Sequence, residues 1–246
     1  MSSREDWQRR LGPLYGGAVA LVSSTPWRWP TSVVDDARSP SWVVALGLPI
    51  GVLAWLVAVL VHAAGLPSSI AALFGLAMLT MASAAIVERG LGERVDDWHG
   101  TASGGPVVVT LVLVFVTAVR GAAIITLPQS HWLAVFVATA LAGRWSAVFL
   151  QALGDPVIPR EAEGRRSLVA TPAPAWLTAA ISGGVAVVVI FALGKAGVLA
   201  LALVAVAAFS LGLEAQRRDG GLSGPVVSTA AAVGELLVLL IATIGY

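Results

Sequence analysis

Seven apolar runs of bilayer length divide this chain and leave it few ways to fold. They lie at about 41–64, 67–87, 104–126, 130–153, 174–192, 196–213 and 226–244. A helix that crosses hydrocarbon needs roughly 20 mostly apolar residues and must satisfy its backbone polar groups internally. The runs therefore predict an all-α fold, a polytopic integral membrane bundle of seven transmembrane helices. Only 12% of the 246 residues are charged, against about 25% in soluble domains. At this length one membrane domain is expected over 1–246, with 1–40 an N-terminal segment and 41–246 the bundle.

The separators between runs alternate between bare and charged. Gly65-Leu66-Pro67 and Pro128-Gln129-Ser130 carry no charge, and Gly194–Gly197 carries only Lys195. The other side collects twelve Arg, five of them before residue 41. The positive-inside rule then places the N-terminus and the loops 88–103, 154–173 and 214–225 in the cytoplasm, and the C-terminus outside, in a multi-pass cell-membrane protein. Residues 1–10 are too charged, and too soon interrupted, for a cleavable signal peptide. Residues 11–24 fall short of a span and read as an interfacial or re-entrant helix, with the Pro- and Trp-bearing segment 25–40 irregular at headgroup depth. Trp42, Trp132 and Trp176 stand at span ends, where interfacial rings are expected. Gly47 with Gly51, and Ser182-Gly183-Gly184, suit close helix packing.

Net charge of +1 gives no reason to expect a nucleic-acid partner, so the lipid bilayer is the partner that composition implies. The chain has no Cys, which excludes disulfides, thiolate metal sites and Cys nucleophiles.

Charge concentrates between the second and third runs, in Glu88 to Gly100 (ERGLGERVDDWHG). If Glu88–Asp97 is helical, Glu93, Asp96 and Asp97 fall at i, i+3 and i+4 and share a face. Three such carboxylates repel unless a cation or Arg neutralises them, which makes them candidate metal ligands. Mg²⁺ prefers one or two carboxylates together with substrate phosphates and waters. The bland alternative is a solvated loop that only sets topology, in which Arg89 pairs with Glu93 and Arg94 neutralises its neighbours. His99 beside Trp98 is either a ligand or base, or neither.

Two Arg lie inside apolar runs. Arg120 is near enough to a span end to snorkel. Arg144 is near the middle of its run, where a charge costs about 2.5–3.5 kcal/mol and faces the bundle interior or a wet cavity. Binding phosphate bidentately would be its natural use. A third element, Arg217–Gly224 (RRDGGLSG), combines Arg217 and Arg218 with Gly220, Gly221, Ser223 and Gly224, a loop whose backbone N–H groups can approach an anion.

The order of these pieces resembles the cobalamin synthase family, the adenosylcobinamide-GDP ribazoletransferases. Arg217–Leu240 follows the family pattern LGGxTGDxLGAxxExxELxxLL without gaps: Gly220 and Gly221 match the double Gly, Ser223-Gly224 the Thr-Gly, and Glu235 the final Glu. Gly143-Arg144 is similar to the family's (S/G)R step, Pro156–Leu168 to its Arg/Pro/Glu-rich loop, and Pro49-Ile50-Gly51 to its Pro-Leu-Ile-Gly entry. The opening charged stretch falls where the family carries GxHxDGLADTADG. There the family's His meets Val87 and its three Asp meet Arg89, Glu93 and Asp96, while the following segment shrinks to Thr101–Ser103. Pro225 replaces the Asp of TGD, and Ala232 the first Glu of the last span. The chain thus resembles a divergent member with a degenerate acidic motif.

The resemblance implies Mg²⁺-dependent joining of nucleotide-activated cobinamide to α-ribazole or its phosphate, with release of GMP, late in cobalamin biosynthesis. It casts Glu93, Asp96 and Arg144 as catalytic, and Glu93, Asp96 and Asp97 as Mg²⁺ ligands. Arg217, Arg218, Gly220, Gly221, Ser223 and Gly224 would bind the nucleotide-activated substrate. The contrasting expectation is a non-catalytic membrane scaffold or partner subunit, in a homo- or hetero-oligomer. A transporter is disfavoured, because no span is expected to bury an acid and no inverted repeat with paired broken helices is found. Convergence of Glu93, Asp96, Arg144 and Arg217 on one cavity is the feature that separates enzyme from scaffold.

Overall fold

The computed structural model describes residues 4–26, 39–99, 105–154 and 173–245. The Pro156–Leu168 loop, Thr101–Ser103 and most of the segment 25–40 lie outside the described residues. Within them the fold is all-α, without strands: α1 (Arg4–Leu11), α2 (Tyr15–Ser24), α3 (Ser39–Ala45), α4 (Gly47–Ala63), α5 (Ser68–Ala82), α6 (Ile86–His99), α7 (Gly105–Thr126), α8 (Trp132–Leu153), α9 (Ala175–Leu193), α10 (Lys195–Asp219) and α11 (Gly224–Gly245).

Six stretches are long and apolar enough to cross a membrane: Ser39–Ala63, Gly105–Thr126, Gln129–Leu153, Ala175–Leu193, Lys195–Asp219 and Gly224–Gly245. They match six of the seven expected runs. The remaining run differs. Its helix stops at Ala82, and α5 and α6 meet at 75°, so the pair counts as one span only as a broken one.

The break has a clear local structure. Ala84 N–H donates to Met81 O at 2.9 Å and Ala85 N–H to Thr80 O at 3.1 Å, the paired bonds of a Schellman helix ending. That ending needs a left-handed residue, and here Ala84 (φ 53) and Ala85 (φ 51) supply it in place of Gly. Each Cβ costs about 1–2 kcal/mol in this conformation. Tertiary contacts described below hold the break in place.

α8 is the central helix, buried along most of its length and packed by α4, α9, α10 and α11. Close approach is made possible by small residues. A Cβ on Gly51 would stand 2.6 Å from Val137 Cα, and one on Gly47 3.0 Å from Leu141 Cα. On the α11 side Gly143 abuts the Glu235 side chain, and Gly234 sits against Ser146 Oγ, which donates to Ala230 O at 2.8 Å. Without a hydrophobic drive between helices in lipid, such tight packing and interhelical hydrogen bonds hold the bundle. Gly183 and Gly184 depart from expectation: nothing lies within 4 Å of a Cβ at either, although Ser182 Oγ accepts from Trp145 Nε1 at 2.9 Å.

Trp132, the first residue of α8, is buried within the bundle and donates to Leu127 O at 3.3 Å, whereas Trp176 is exposed. The 11–24 region forms a short 3₁₀ turn and then α2, which packs on α3 with Trp42 lying against Gly17. At ten residues α2 is too short to span.

Replacing Ala84 by Gly removes the Cβ penalty at the break and is expected to raise stability by about 1 kcal/mol. Thermal unfolding in detergent measures it, and Ala84→Val should move the midpoint the other way.

Candidate functional site

The charged stretch of the sequence is α6, and its helical repeat decides which charges do what. Ile86, Val87, Gly90, Leu91, Arg94 and Val95 turn inward, while Asp96, Asp97, Trp98 and His99 are exposed. Gly90 lies tight on Ser228 of α11, and a Cβ on Gly92 would stand 3.3 and 3.5 Å from the Val109 and Leu113 side chains of α7. α6 is thus wedged between α7 and α11. A Cβ at Gly90 would collide with Ser228 Cβ and push α6 off α11.

Arg94 is the residue that joins distant parts of the sequence at this end of the bundle. It is almost fully buried and bonds Glu214, and also Asp219 at 2.5 Å, both on α10. Its guanidinium lies over the Trp98 ring, 5.3 Å from the centroid, and Trp98 Nε1 donates to Glu214 Oε1 at 3.2 Å. Arg218 closes the arrangement by donating to the carbonyls of Asp97 and Trp98 at 3.3 and 3.4 Å. α10 then ends in Gly220, whose φ of +74 turns the chain through Gly221 and Ser223 into Gly224 at the start of α11. Arg217 is exposed on an open depression of about 330 Å³, lined also by Ser210, Leu213, Glu214 and Arg218.

A second charged cluster lies deep in the bundle. Arg120 donates to Glu88 Oε1 at 2.7 Å and to Glu235, so one guanidinium links α7 to both α6 and α11. Thr80 Oγ1 donates to the same Glu88 oxygen at 3.0 Å. Arg144, wholly buried, donates to Ser83 Oγ at 2.7 Å and to Ala140 O at 3.2 Å. Glu235 stands eleven residues inside α11, and Arg144 nine residues from the end of α8. At 1.5 Å per residue both are about 14–17 Å from the nearer helix ends at the Arg94 end of the bundle. The expectation that no span buries an acid is overturned by Glu235, 2% exposed between two helices.

Of the residues singled out from the sequence, the structure brings Asp96, Asp97, Arg217, Arg218 and the 220–224 turn to one end of the bundle. It sets Arg144 apart, because its guanidinium is engaged at mid-depth and cannot reach that face. Glu93 leans on Arg89 at 3.8 Å, an exposed i,i+4 pair worth about 0.3–0.5 kcal/mol. Arg94 does not neutralise Glu93 or Asp96, since its partners are on α10. Arg120 does not snorkel but pairs inside the bundle. The four residues named as the test of convergence do not share one cavity.

The metal expectation meets the same geometry. Among the described residues no group of three His, Cys, Asp or Glu could hold a metal ion. The acidic face of α6 is therefore not a preassembled three-carboxylate site.

A family model, cobalamin-5-phosphate synthase, matches residues 16–243. No curated protein matches the chain, and no solved structure does. The family match runs from α2 to the last turn of α11 and takes in both charged clusters. With almost the whole chain covered, this membrane helix bundle belongs to the cobalamin-5-phosphate synthase family, and so to cobalamin biosynthesis.

Proposed function

We propose that the chain is a membrane-bound transferase that joins adenosylcobinamide-GDP to α-ribazole or its phosphate and releases GMP. One observation carries this reading beyond family membership. Arg94 gathers the acidic end of α6, the basic end of α10 and the glycine turn 220–224 onto one face, although they are some 120 residues apart in sequence. In this reading a hydroxyl of α-ribazole attacks the phosphorus next to cobinamide. The pyrophosphate P–O bond breaks, and the electron pair leaves with GMP.

Such a step depends mostly on positioning and charge neutralisation. Arg217, free on the depression, and Arg218 would hold phosphate oxygens, with the backbone of Gly220–Gly224 approaching the nucleotide. Asp96 and Asp97 are the exposed carboxylates open to the attacking hydroxyl or to Mg²⁺. Arg144 and Glu93 have no contact role in this reading. The face is assigned to the cytoplasm on the Arg asymmetry of the loops.

A non-catalytic scaffold or partner subunit is the second reading. It is favoured by the separation of Arg144 from Asp96 and Arg217 and by the ungathered carboxylates. Binding separates the two. Protein in liposomes is titrated with adenosylcobinamide-GDP, with and without Mg²⁺. Saturable binding is expected, weakened about 10- to 100-fold by Arg217→Gln, the effect of losing one hydrogen bond to a charged group. Asp96→Ala should abolish the Mg²⁺-dependent part. If folded protein shows no saturable binding, the scaffold reading stands.

Arg94 makes a separate prediction. Arg94→Gln should weaken binding about as much as Arg217→Gln without touching the ligand, and should lower stability by about 1–3 kcal/mol, since Glu214 and Asp219 lose their partner. The same titration and thermal unfolding read both effects.

A further inference from the structure

The helix break, the deep ion cluster and the candidate face are connected through a single helix. α6 is held at two points along its length. Near its surface end Arg94 binds Glu214 and Asp219 of α10. At its first turn Glu88 binds Arg120 of α7, and Arg120 binds Glu235 of α11. Between that first turn and α5 lie the two left-handed alanines, Ala84 and Ala85, where the chain bends by 75°. The bend itself is tied to charged side chains. Thr80 on α5 donates to Glu88, and Ser83 at the bend accepts from Arg144.

We propose that Arg120 is a positioning residue. Through Glu88 it fixes the angle of the half-helix α6, and with it the placement of Arg94, Asp96, Asp97 and Trp98 on the face above. Several observations make this the specific job of the cluster. Arg120 is 3% exposed in an apolar span, where an isolated charge is costly, and it ties α6, through Glu88, to both helices that wedge it, its own α7 and the α11 of Glu235. Glu88 is the only one of its partners carried by α6. The bend relies on left-handed Ala where Gly would be at ease, so the angle is imposed by surrounding contacts and not by local preference. That the face so placed is a substrate site rests on the reading above; the placement of α6 does not.

The test uses the absence of Cys in this chain. Val95→Cys puts a single thiol on the packed face of α6, where Val95 is 7% exposed. Labelling by a charged, membrane-impermeant maleimide is followed in detergent without substrate. Gln216→Cys, exposed on α10, serves as the rapid reference. The Val95→Cys protein should label far more slowly than the reference. Adding Glu88→Gln, which keeps the volume and removes the charge, should speed labelling at least about tenfold, as loss of one charge-assisted hydrogen bond implies. Adding Glu235→Gln, which leaves the Arg120–Glu88 link, should leave labelling slow. Arg120→Lys keeps the charge and should restore much of the protection lost in Arg120→Gln.

Three results would overturn the proposal. One is fast labelling of Val95→Cys alone, and another is no change with Glu88→Gln. The third is equal acceleration by the Glu88 and Glu235 variants, which marks general loosening. Because no ligand is present, none of these outcomes depends on whether the face binds a nucleotide.

Discussion

A charged group inside an apolar bundle must find its counter-charge within the protein, and this requirement organises the structure. Arg120 lies where neither water nor lipid headgroups can solvate it, so the fold surrounds it with Glu88 and Glu235. Meeting the condition draws α6 and α11 onto α7 and bends the second span. Buried ion pairs of this kind add little net stability over a well-packed apolar alternative, but removing one partner leaves a stranded charge that costs about 3–5 kcal/mol. Their contribution is to reject other arrangements. A bundle assembled with α6 one turn out of register would part Glu88 from Arg120 and Arg94 from Glu214 and Asp219.

The helix pattern was legible because it needs only the mean apolarity of a window, and six of the seven runs appear as long apolar helices. The seventh is a bent pair, for a definite reason. Its break at Ser83–Ala85 is written in residues that favour helix, with no Gly or Pro to mark it, and only contacts from α8 and α7 reveal it. The sequence places Trp132 at a span end but does not show that its ring fits under the turn at Leu127.

The candidate face was legible in its parts but not in its assembly. The glycine turn and the paired Arg could be read as an anion-approach loop, and the exposed Asp as an acidic face. Arg94, which joins them, carried no local signal, because its partners lie 120 and 125 residues away. The deep cluster did have a usable signal. Two Arg within apolar runs called for acids at matching depth, and Glu235 and Glu88 were the residues that could supply them. The sequence reads Arg144 as a phosphate clamp. The structure instead gives its guanidinium a serine hydroxyl and a helix carbonyl.

α10 has a further consequence. Its twenty-five residues make a rod of about 38 Å, longer than a hydrocarbon core of about 30 Å. Its apolar run, 196–213, is only about 27 Å long, so the charged last turns are the part that stands beyond the hydrocarbon. The residues at the projecting end are Glu214, Arg217, Arg218 and Asp219. Their height above the lipid is therefore set partly by the thickness of the surrounding bilayer. A thinner membrane would leave these charges further into water, and a thicker one would bring them nearer the headgroup phosphates.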